Sequence, residues 1–385
     1  MNRLENLSKL GQSYWLDNLT REMILNGELE NWIIEQGISG ITSNPSTFNK
    51  AISNSNVYDS QIKELALKNK SVDEIYEALV VKDVQDACDM FHETFKATDG
   101  KDGFVSLEVS PHLAHATKAT IDEARRLFDA VDRPNVFIKV PGTENGVPAI
   151  ERLLSDGINI NITLLFSIAN YEKVMKAYLN ALEDRDIRKQ PIDGITSVAS
   201  FFLSRIDVLV DQLLSHRLVP GNDEHNKHIR ELMGKAAVAN AKLAYQKYKR
   251  YFHGTRWKSF KSKGARTQRV LWASTSTKND AYSDVMYVEP LIAEDSVSTM
   301  PESTLTAFAD HGEAQKPTIE HDVDKAGSIF TELSKLGIDM EFVTQQLLNE
   351  GIQKFIDPFD ALKQSIAAKR QQFIAKAQGK VHQKW

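Results

Sequence analysis

Short runs of β-branched and aromatic residues alternate with long amphipathic stretches along the chain. This alternation is typical of strand–helix units built around a parallel sheet. The runs predict strands at residues 13–16, 40–43, 103–110, 135–140, 159–166, 194–200, 269–274 and 284–291. Several of them are apolar at successive positions, as expected for strands buried on both faces. Eight such strands predict an α/β fold, a closed (β/α)8 TIM barrel with additional helices.

The stretches between the predicted strands carry helix signals. Ser71 followed by Glu74 forms a capping box that predicts a long helix to about Ala97. Cys88 lies among the apolar residues of this helix and is expected to be a small core residue rather than a nucleophile. Residues 222–251 are interpreted as one long helix, with alanines on one side and charges on the other.

A basic stretch at residues 247–269 follows, and it contains Tyr251, Phe252, Trp257 and Phe260. Basic residues interleaved with aromatic ones can bind single-stranded nucleic acid. The stretch is short and isolated, so we interpret it instead as a solvated loop with packed aromatics. A contribution to positive potential near a phosphate site is a further option.

No internal repeat and no Gly/Ser- or Pro-rich linker divides the chain. We therefore predict one (β/α)8-barrel catalytic domain over residues 1–385. It has a helical and basic insertion at about 218–268 and a helical C-terminal extension at about 340–385. Residues 300–312 are predicted to be a turn-rich loop, and the Lys/Gln-rich tail from about Lys369 is predicted to be frayed.

Charge and cysteine content narrow the function classes. The chain has 47 basic and 52 acidic residues, a net charge of −5, and offers no broad positive field for nucleic acid or an anionic membrane. Its single cysteine rules out an internal disulfide, and no targeting signal or apolar run of ~20 residues is evident. We expect a cytoplasmic protein, a monomer or homodimer, that acts on a small molecule.

A barrel of this kind builds its active site at the C-terminal ends of its strands. Lys139 in NVFIKVPGT stands inside an otherwise apolar strand, where an ammonium is costly unless it is paired or neutralised. A neutral buried amine can attack a ketone or aldehyde carbonyl. The alternative is a lysine that extends out of the barrel or forms a structural ion pair.

Two carboxylates occupy comparable positions, and they favour the chemical interpretation of the lysine. Asp17 follows the first predicted strand, and Glu108 lies within FVSLEVSP. Schiff-base chemistry needs several proton transfers, so a lysine with two carboxylates is a sufficient catalytic set. A structural ion pair is the alternative for each carboxylate, and it is more credible for Glu108 than for Asp17.

Further polar residues suit a sugar phosphate. Asn161 and Thr163 lie on the same face of one strand and would line the barrel interior, whereas Asn44 before Pro45 could be only a turn residue or helix cap. Ser200 and Arg205 in SVASFFLSR, with Ser274 and Lys278 in LWASTSTKN, indicate a phosphate site. Ordinary surface charge is the alternative for Arg205 and Lys278.

No cofactor or metal is expected. His112 with His115, and His225 with His228, have a spacing that helical metal pairs use, but no carboxylate or cysteine ligands accompany them in the sequence. Gly142 and Gly146 form neither a G-x-G-x-x-G nor a Walker pattern, so a nucleotide is unsupported.

The motifs together resemble those of transaldolases, especially the longer bacterial form. The matching segments include SYWLDNLTR, GISGITSNPSTF, VSLEVSP, FIKVPGTENGVPAI, NINITLLFS, SVASFFLSRID, QRVLWASTSTKN and LGIDMEFVTQQLLNEGIQKFIDPFDAL, and they span nearly the whole chain. The resemblance implies transfer of a dihydroxyacetone unit from sedoheptulose 7-phosphate or fructose 6-phosphate to glyceraldehyde 3-phosphate or erythrose 4-phosphate. This reaction belongs to the non-oxidative pentose phosphate pathway.

The resemblance also implies roles for single residues. Lys139 would form the Schiff base, Asp17 would handle the proton of the hydroxyl at the cleaved bond, and Glu108 would act through water on the carbinolamine. Asn44 and Asn161 would hold substrate hydroxyls, with Thr163 near the catalytic water. Ser200 and Arg205 would hold the substrate chain and phosphate, joined by Ser274 and Lys278.

The chain departs from the family pattern after Ser274. Shorter transaldolases carry an arginine two residues after this serine, whereas ASTSTKN offers Lys278, which lacks the bidentate fork of an arginine. Two other functions remain open at this point. An aldolase of the same superfamily would release free dihydroxyacetone, and a catalytically silent barrel would serve as a binding protein.

Overall fold

Eight parallel strands form a closed barrel in the computed structural model, which describes the chain from residue 3 to residue 382. Each strand pairs with the next along the chain, and the eighth pairs with the first. The strands are β1 (Gln12–Leu16), β2 (Gly40–Ile41), β3 (Phe104–Glu108), β4 (Val136–Pro141), β5 (Ile160–Leu165), β6 (Ser197–Phe202), β7 (Arg269–Ala273) and β8 (Ser296–Met300). The predicted (β/α)8 barrel is therefore confirmed.

Helices surround the barrel and fill the connections between its strands. They are α1 (Arg3–Lys9), α2 (Arg21–Leu25), α3 (Glu28–Ile34), α4 (Pro45–Asn54), α5 (Asp59–Leu67), α6 (Val72–Met90), α7 (His92–Ala97), α8 (Thr117–Val131), α9 (Gly146–Asp156), α10 (Ile168–Ile187), α11 (Ser204–Ser215), α12 (Asp223–Leu232), α13 (Ala236–Phe252), α14 (Thr255–Lys261), α15 (Glu302–His311), α16 (Val323–Lys335) and α17 (Met340–His382). Two short 3-10 helices occupy Pro111–Leu113 and Glu289–Leu291. No helix among the described residues is long and apolar enough to cross a membrane.

The predicted capping box is present at the start of α6. The Ser71 hydroxyl accepts from the backbone N–H of Glu74 at 3.2 Å, and the Glu74 carboxylate accepts from the backbone N–H of Ser71 at 2.8 Å. Cys88 on this helix is fully buried, and burial raises the pKa of its thiol. The expectation of a core cysteine is confirmed.

The prediction of the eighth strand was wrong. Residues 284–291 form turns and a 3-10 helix, and the strand that closes the barrel is β8, Ser296–Met300. Val285, Tyr287 and Val288 are buried without pairing into the sheet, and Pro290 lacks the N–H that a central strand needs. Serines alternate with other residues in β8, which weakened its strand signal.

The long helix predicted over residues 222–251 is two helices, α12 and α13. Gly234 lies between them with a φ of +68°, a left-handed conformation that favours glycine, and its N–H donates to the Asp211 carboxylate at 2.9 Å. A glycine just past the last turn is a helix stop signal, so this break was readable in the sequence.

Three segments predicted to be irregular contain helix. The basic stretch includes α14, although its aromatic residues are packed as expected, with Phe252, Trp257 and Phe260 buried. Residues 300–312 contain α15, whose start is marked by Pro301 and Glu302. The tail is helical through His382 in α17, and Lys369 donates to Asp59 at 2.8 Å, so the predicted fraying from Lys369 was wrong for these residues.

Helix α17 follows β8 and α16 on the chain and returns across the barrel. It packs on α4, α5, α6 and α11 and against β5. Gly351 marks a close approach, because a Cβ at this position would lie 2.9 Å from Leu164 and 3.5 Å from the Arg205 guanidinium. The insertion between β6 and β7 contains α12, α13 and α14, and the division of the chain into one domain with two additions remains a prediction.

Candidate active site

A cavity of about 270 Å³ opens at the C-terminal ends of the strands. It is lined by residues from five of the predicted strand ends and by residues from the helical extension. The predicted site residues in its wall are Asp17, Asn44, Lys139, Ser200, Arg205, Ser274 and Lys278. The structure thus brings most of the predicted site to one place.

Lys139 on β4 is 4% exposed and points its ammonium group at this cavity. Its Nζ donates to the backbone carbonyl of Ser43 at 3.1 Å and lies 3.4 Å from a Glu108 carboxylate oxygen. The ring of Phe355 from α17 lies 5.6 Å from the Nζ, within range of a cation–π contact. The side chain neither leaves the barrel nor reaches bulk water.

Glu108 lies beside Lys139 because β3 and β4 pair with these two residues in register. Within the described part of the chain, neither carboxylate oxygen of Glu108 has a hydrogen-bond partner, although both are buried. Burial raises the pKa of Glu108 to about 7, against the opposing charge of Lys139, and the charge of Asp17 adds to the rise. Glu108 is therefore poised between its protonated and ionised forms near neutral pH.

Asp17 follows β1 at the edge of the cavity and is half-buried. One of its carboxylate oxygens accepts from the Thr42 hydroxyl at 2.9 Å. Thr42 and Thr299 share a further hydrogen bond of 2.7 Å between their hydroxyls. These bonds orient one carboxylate oxygen and leave Asp17 within the same cavity as the amine of Lys139.

Asn44 is the N-cap of α4, where its side-chain oxygen accepts from the backbone N–H of Thr47 at 3.1 Å. The cap interpretation of this residue is confirmed. Asn44 also lines the cavity. A capping role and a substrate contact are compatible, because the cap uses the side-chain oxygen and the amide nitrogen is a separate donor.

Asn161 on β5 lies under the cavity in a chain of buried hydrogen bonds. Its amide nitrogen donates to the Ser106 hydroxyl at 3.0 Å, and its oxygen accepts from the Ser200 hydroxyl at 2.6 Å. Thr163 is also fully buried, and its hydroxyl has no partner among the described residues. Neither residue is in the cavity wall as the structure stands, so Asn161 reaches it through Ser200.

The two predicted phosphate cations meet at the same side of the cavity. Arg205 stands in the first turn of α11, and burial lowers the pKa of its guanidinium. One guanidinium nitrogen is buried without a hydrogen-bond partner among residues 3–382. Burial and the neighbouring charge of Arg205 lower the pKa of Lys278. Two cations in the wall of one cavity favour binding of an anion there.

Ser274 ends β7 in a left-handed conformation, with a φ of +57°. Its hydroxyl shares a 2.8 Å hydrogen bond with the hydroxyl of Ser204, and its carbonyl accepts from the Ser204 N–H at 3.1 Å. These bonds join the end of β7 to the start of α11. A non-glycine residue at this φ is uncommon and is held by the surrounding bonds.

The structure adds site residues that the sequence did not single out. They are Thr42, Ser106, Thr299 and Phe355. Thr42 stands two residues before Asn44 in ITSNPS, so its position at a strand end was a usable signal. Phe355 lies far along the chain in a helix, and only its membership of a segment resembling the family pointed to it.

A separate cavity of about 360 Å³ lies by the N-terminal ends of the strands and includes Lys261 and Arg266 from the basic stretch. The basic stretch therefore does not add charge to the predicted phosphate site. Several of its cations pair with acidic side chains: Lys247 with Glu172, Lys249 with Glu320, Arg256 with Glu183, and Lys263 with Asp186. This pairing favours a packed surface over a nucleic-acid site.

Comparison with known proteins gives one consistent match. A family model described as transaldolase/fructose-6-phosphate aldolase matches residues 14–366. The chain is 47% identical over 371 residues to a transaldolase of Trichodesmium erythraeum (strain IMS101), covering 96% of this chain and 97% of that protein. It is 45% identical to transaldolase 2 of Nostoc sp. (96% and 98% covered) and 45% identical to a transaldolase of Thiobacillus denitrificans (94% and 99% covered).

Proposed function

The chain belongs to the transaldolase/fructose-6-phosphate aldolase family and is a transferase of the transaldolase type, and we propose that it works through a Schiff base on Lys139. The donor is a ketose phosphate, sedoheptulose 7-phosphate or fructose 6-phosphate. The acceptor is an aldose phosphate, glyceraldehyde 3-phosphate or erythrose 4-phosphate. The single observation that carries the proposal is the buried Lys139 amine beside Glu108, open to a cavity that also holds Asp17 and Arg205.

The reaction begins when the neutral amine of Lys139 attacks the ketose carbonyl carbon. The carbinolamine that forms loses water to give an iminium ion, and both steps move protons. Glu108 suits this role, because burial holds its pKa near 7 and it can give or take a proton through a water molecule. This role is supported by the 3.4 Å distance between a Glu108 carboxylate oxygen and the Lys139 Nζ.

Cleavage of the carbon–carbon bond follows. Asp17 accepts the proton of the hydroxyl on the carbon beyond that bond, the bond breaks, and its electron pair moves into the iminium to form an enamine. The aldose phosphate leaves. The enamine carbon then attacks the acceptor aldehyde, Asp17 returns the proton to the new hydroxyl, and hydrolysis frees the product and the Lys139 amine.

Binding of the substrate chain is divided between two groups of side chains. Asn44, Ser200 and the Asn161 network beneath Ser200 hold the hydroxyls, with Thr163 near the catalytic water. Arg205, Ser274 and Lys278 hold the terminal phosphate. Phosphate is a dianion at neutral pH, so two cations in one cavity wall are suited to bind it.

We further propose a place in the non-oxidative pentose phosphate pathway and a cytoplasmic location. The substrates of the proposed reaction are the sugar phosphates of that pathway. One buried, unpaired cysteine is compatible with a reducing compartment.

The test is a coupled assay with fructose 6-phosphate, with and without erythrose 4-phosphate, followed by borohydride reduction and peptide mass mapping. We expect a three-carbon adduct on Lys139 and, without the acceptor, no more than one equivalent of glyceraldehyde 3-phosphate per enzyme, whereas repeated turnover should require the acceptor. The matched control is Lys139→Met, which keeps an unbranched side chain of nearly the same length and removes the amine.

Three other outcomes of this assay would contradict the proposed function. Rapid multiple turnover without acceptor would identify an aldolase that releases dihydroxyacetone. An adduct on another lysine would refute the assignment of Lys139. Neither adduct nor product would leave a barrel that binds without catalysis.

A further inference from the structure

The loop between β7 and β8 carries one of the two proposed phosphate cations on irregular backbone. Lys278 stands in this loop and is exposed, as are Asn279 and Asp280 beside it. The loop reaches its short 3-10 helix only at Glu289. A lysine on such a loop binds an anion well only if something else fixes the loop, because ordering it on binding costs free energy.

Two tyrosines of this loop are bonded to two aspartates of α11, the helix that carries Arg205. Tyr282 donates to the Asp211 carboxylate at 2.6 Å, and Tyr287 donates to the Asp207 carboxylate at 2.9 Å. The aspartates are four residues apart and therefore lie on one face of α11. We call the two tyrosine–aspartate pairs the loop clamp.

Backbone N–H groups also hold the two aspartates of the loop clamp. The second oxygen of Asp211 accepts from the Gly234 N–H at 2.9 Å, and the second oxygen of Asp207 accepts from the Ala237 N–H at 2.8 Å. Each carboxylate thus joins α11, the loop and the start of α13. One oxygen of each carboxylate is therefore held by a backbone N–H, independently of the tyrosine that donates to the other oxygen.

The ring of Tyr282 packs against Gly234. A Cβ on Gly234 would lie 2.8 Å from this ring, so the glycine makes room for it as well as supplying the left-handed φ. The inner pair, Tyr287 and Asp207, is buried, and the outer pair, Tyr282 and Asp211, is half-buried. The clamp runs from the core to the surface along the same helix face.

We infer that the loop clamp positions Lys278 beside Arg205 for recognition of the substrate phosphate, an inference that rests on the proposed function. Arg205 stands two residues before Asp207 on α11, so the clamp ties the loop to the same helix turn that carries the guanidinium. The loop clamp also accounts for the way in which this chain departs from shorter transaldolases after Ser274. A longer loop with a lysine lacks the planar fork of an arginine, and a fixed loop offsets this by holding the single charge in place.

The test is Tyr282→Phe, which removes one hydroxyl from the half-buried pair and keeps the ring. We expect the KM for fructose 6-phosphate and the Kd for inorganic phosphate, titrated by calorimetry, to rise roughly tenfold, as for loss of a hydrogen bond to a charged group. The kcat should stay within about twofold, and the KM for unphosphorylated fructose should not change, because the clamp acts on the phosphate end.

The matched control is Tyr178→Phe. This residue also loses a well-formed bond, a 2.6 Å donation to the carbonyl of Arg266, but it lies by the N-terminal ends of the strands. We expect no change in either KM. A second test combines Tyr282→Phe with Lys278→Ala: the double variant should bind phosphate no more weakly than Lys278→Ala alone, because the clamp acts through Lys278.

Three results would overturn the inference: unchanged phosphate affinity in Tyr282→Phe, equal changes in KM for fructose and fructose 6-phosphate, or effects that multiply in the double variant. The calorimetric arm is independent of turnover. If the wild type transfers no three-carbon unit, the proposed function fails, and the phosphate titrations still decide whether the clamp positions Lys278.

Discussion

Two buried ion pairs lie at opposite ends of the barrel, and they differ in how fully they are hydrogen-bonded. At the N-terminal end, Arg269 lies 3.1 Å from Asp102, and at the C-terminal end, Lys139 lies 3.4 Å from Glu108. The side chains of the first pair are 4% and 9% exposed and those of the second are both 5% exposed. Burial therefore does not distinguish the two pairs.

Their hydrogen bonds do distinguish them. The Asp102 carboxylate accepts from the Ser13 hydroxyl at 2.7 Å and from the Trp15 indole N–H at 3.0 Å, and Arg269 also donates to Ser13 at 2.8 Å. The Glu108 carboxylate has no hydrogen-bond partner within the described residues, and its pKa is raised to about 7. The Asp102 pair is saturated with hydrogen bonds, as suits a structural ion pair, whereas the Glu108 carboxylate is free to exchange a proton near neutral pH, as the proposed catalysis requires.

The largest expected contrast comes from replacing the cation of each pair by methionine. Arg269→Met leaves the Asp102 charge buried without its cation and should lower the free energy of unfolding by about 3–5 kcal/mol. Lys139→Met should change it by only about 1 kcal/mol, because Glu108 can take up a proton near neutral pH. Urea denaturation at pH 7 measures both.

The effects of the two substitutions on turnover should be in the reverse order, with Lys139→Met the more damaging. Lys139→Met should have no measurable transfer, whereas Arg269→Met, assayed below its unfolding temperature, should retain a kcat within severalfold of the wild type. Equal destabilisation by the two substitutions would remove the distinction between a structural pair and a catalytic one.

A smaller effect is the pH dependence of stability due to Glu108. Its folded pKa lies above the ordinary value of 4.5, so its contribution to stability is fully present below pH 4.5 and is lost as the pH rises through about 7. Between these limits the loss is on the order of 3 kcal/mol. We expect Glu108→Gln to gain that much relative to the wild type across the same range of pH.

Denaturation curves at several pH values measure this gain. Glu93→Gln, at a carboxylate that is 86% exposed, is the control and should follow the wild type. A Glu108→Gln variant that also follows the wild type would show that Glu108 is not the titrating group.

The smallest expected effect concerns Asp17, which belongs to the catalytic end but not to its ion pair. Asp17→Ala should still give a borohydride-trapped adduct on Lys139, now with the whole ketose phosphate attached, and should slow carbon–carbon cleavage about a hundredfold, the lower range for loss of a general acid–base group. Mass spectrometry of the adduct and single-turnover release of the aldehyde separate the two steps. Loss of the adduct together with turnover would contradict this division of labour, and Asn18→Ala, one residue along, is the control.

Most of the barrel could be predicted because a strand buried on both faces is apolar at successive positions. This signal located β1 to β7. It failed at β8, where Ser296 and Ser298 face buried positions in the barrel, and it misled at residues 284–291, where Tyr287 is buried by helix packing and the loop clamp rather than by the sheet. Tyr287 is buried without pairing into the sheet, whereas β8 pairs into the sheet although serines interrupt its apolar run. Tertiary structure decides both cases, so a local sequence pattern does not reveal them.

Two of the proposed catalytic residues, Lys139 and Glu108, stand out in the sequence because charge is expensive in an apolar strand. Their mutual distance also followed from parallel register, which pairs adjacent strands residue by residue. Residues that reach the site from elsewhere could not be found this way. Phe355 lies on α17, and the loop clamp joins the β7–β8 loop to α11. No local sequence pattern predicts which helix will cover which strand end.

Helix α17 has a consequence for the biogenesis of the enzyme. On the ribosome, β8 at residues 296–300 emerges before residues 340–382, so the barrel can close before the helix that brings Phe355 to Lys139 has been made. Until that helix docks, the Lys139 amine lacks the Phe355 ring that lies 5.6 Å from its Nζ in the complete fold. Docking of α17 is therefore the step that completes the wall of the cavity around the proposed nucleophile.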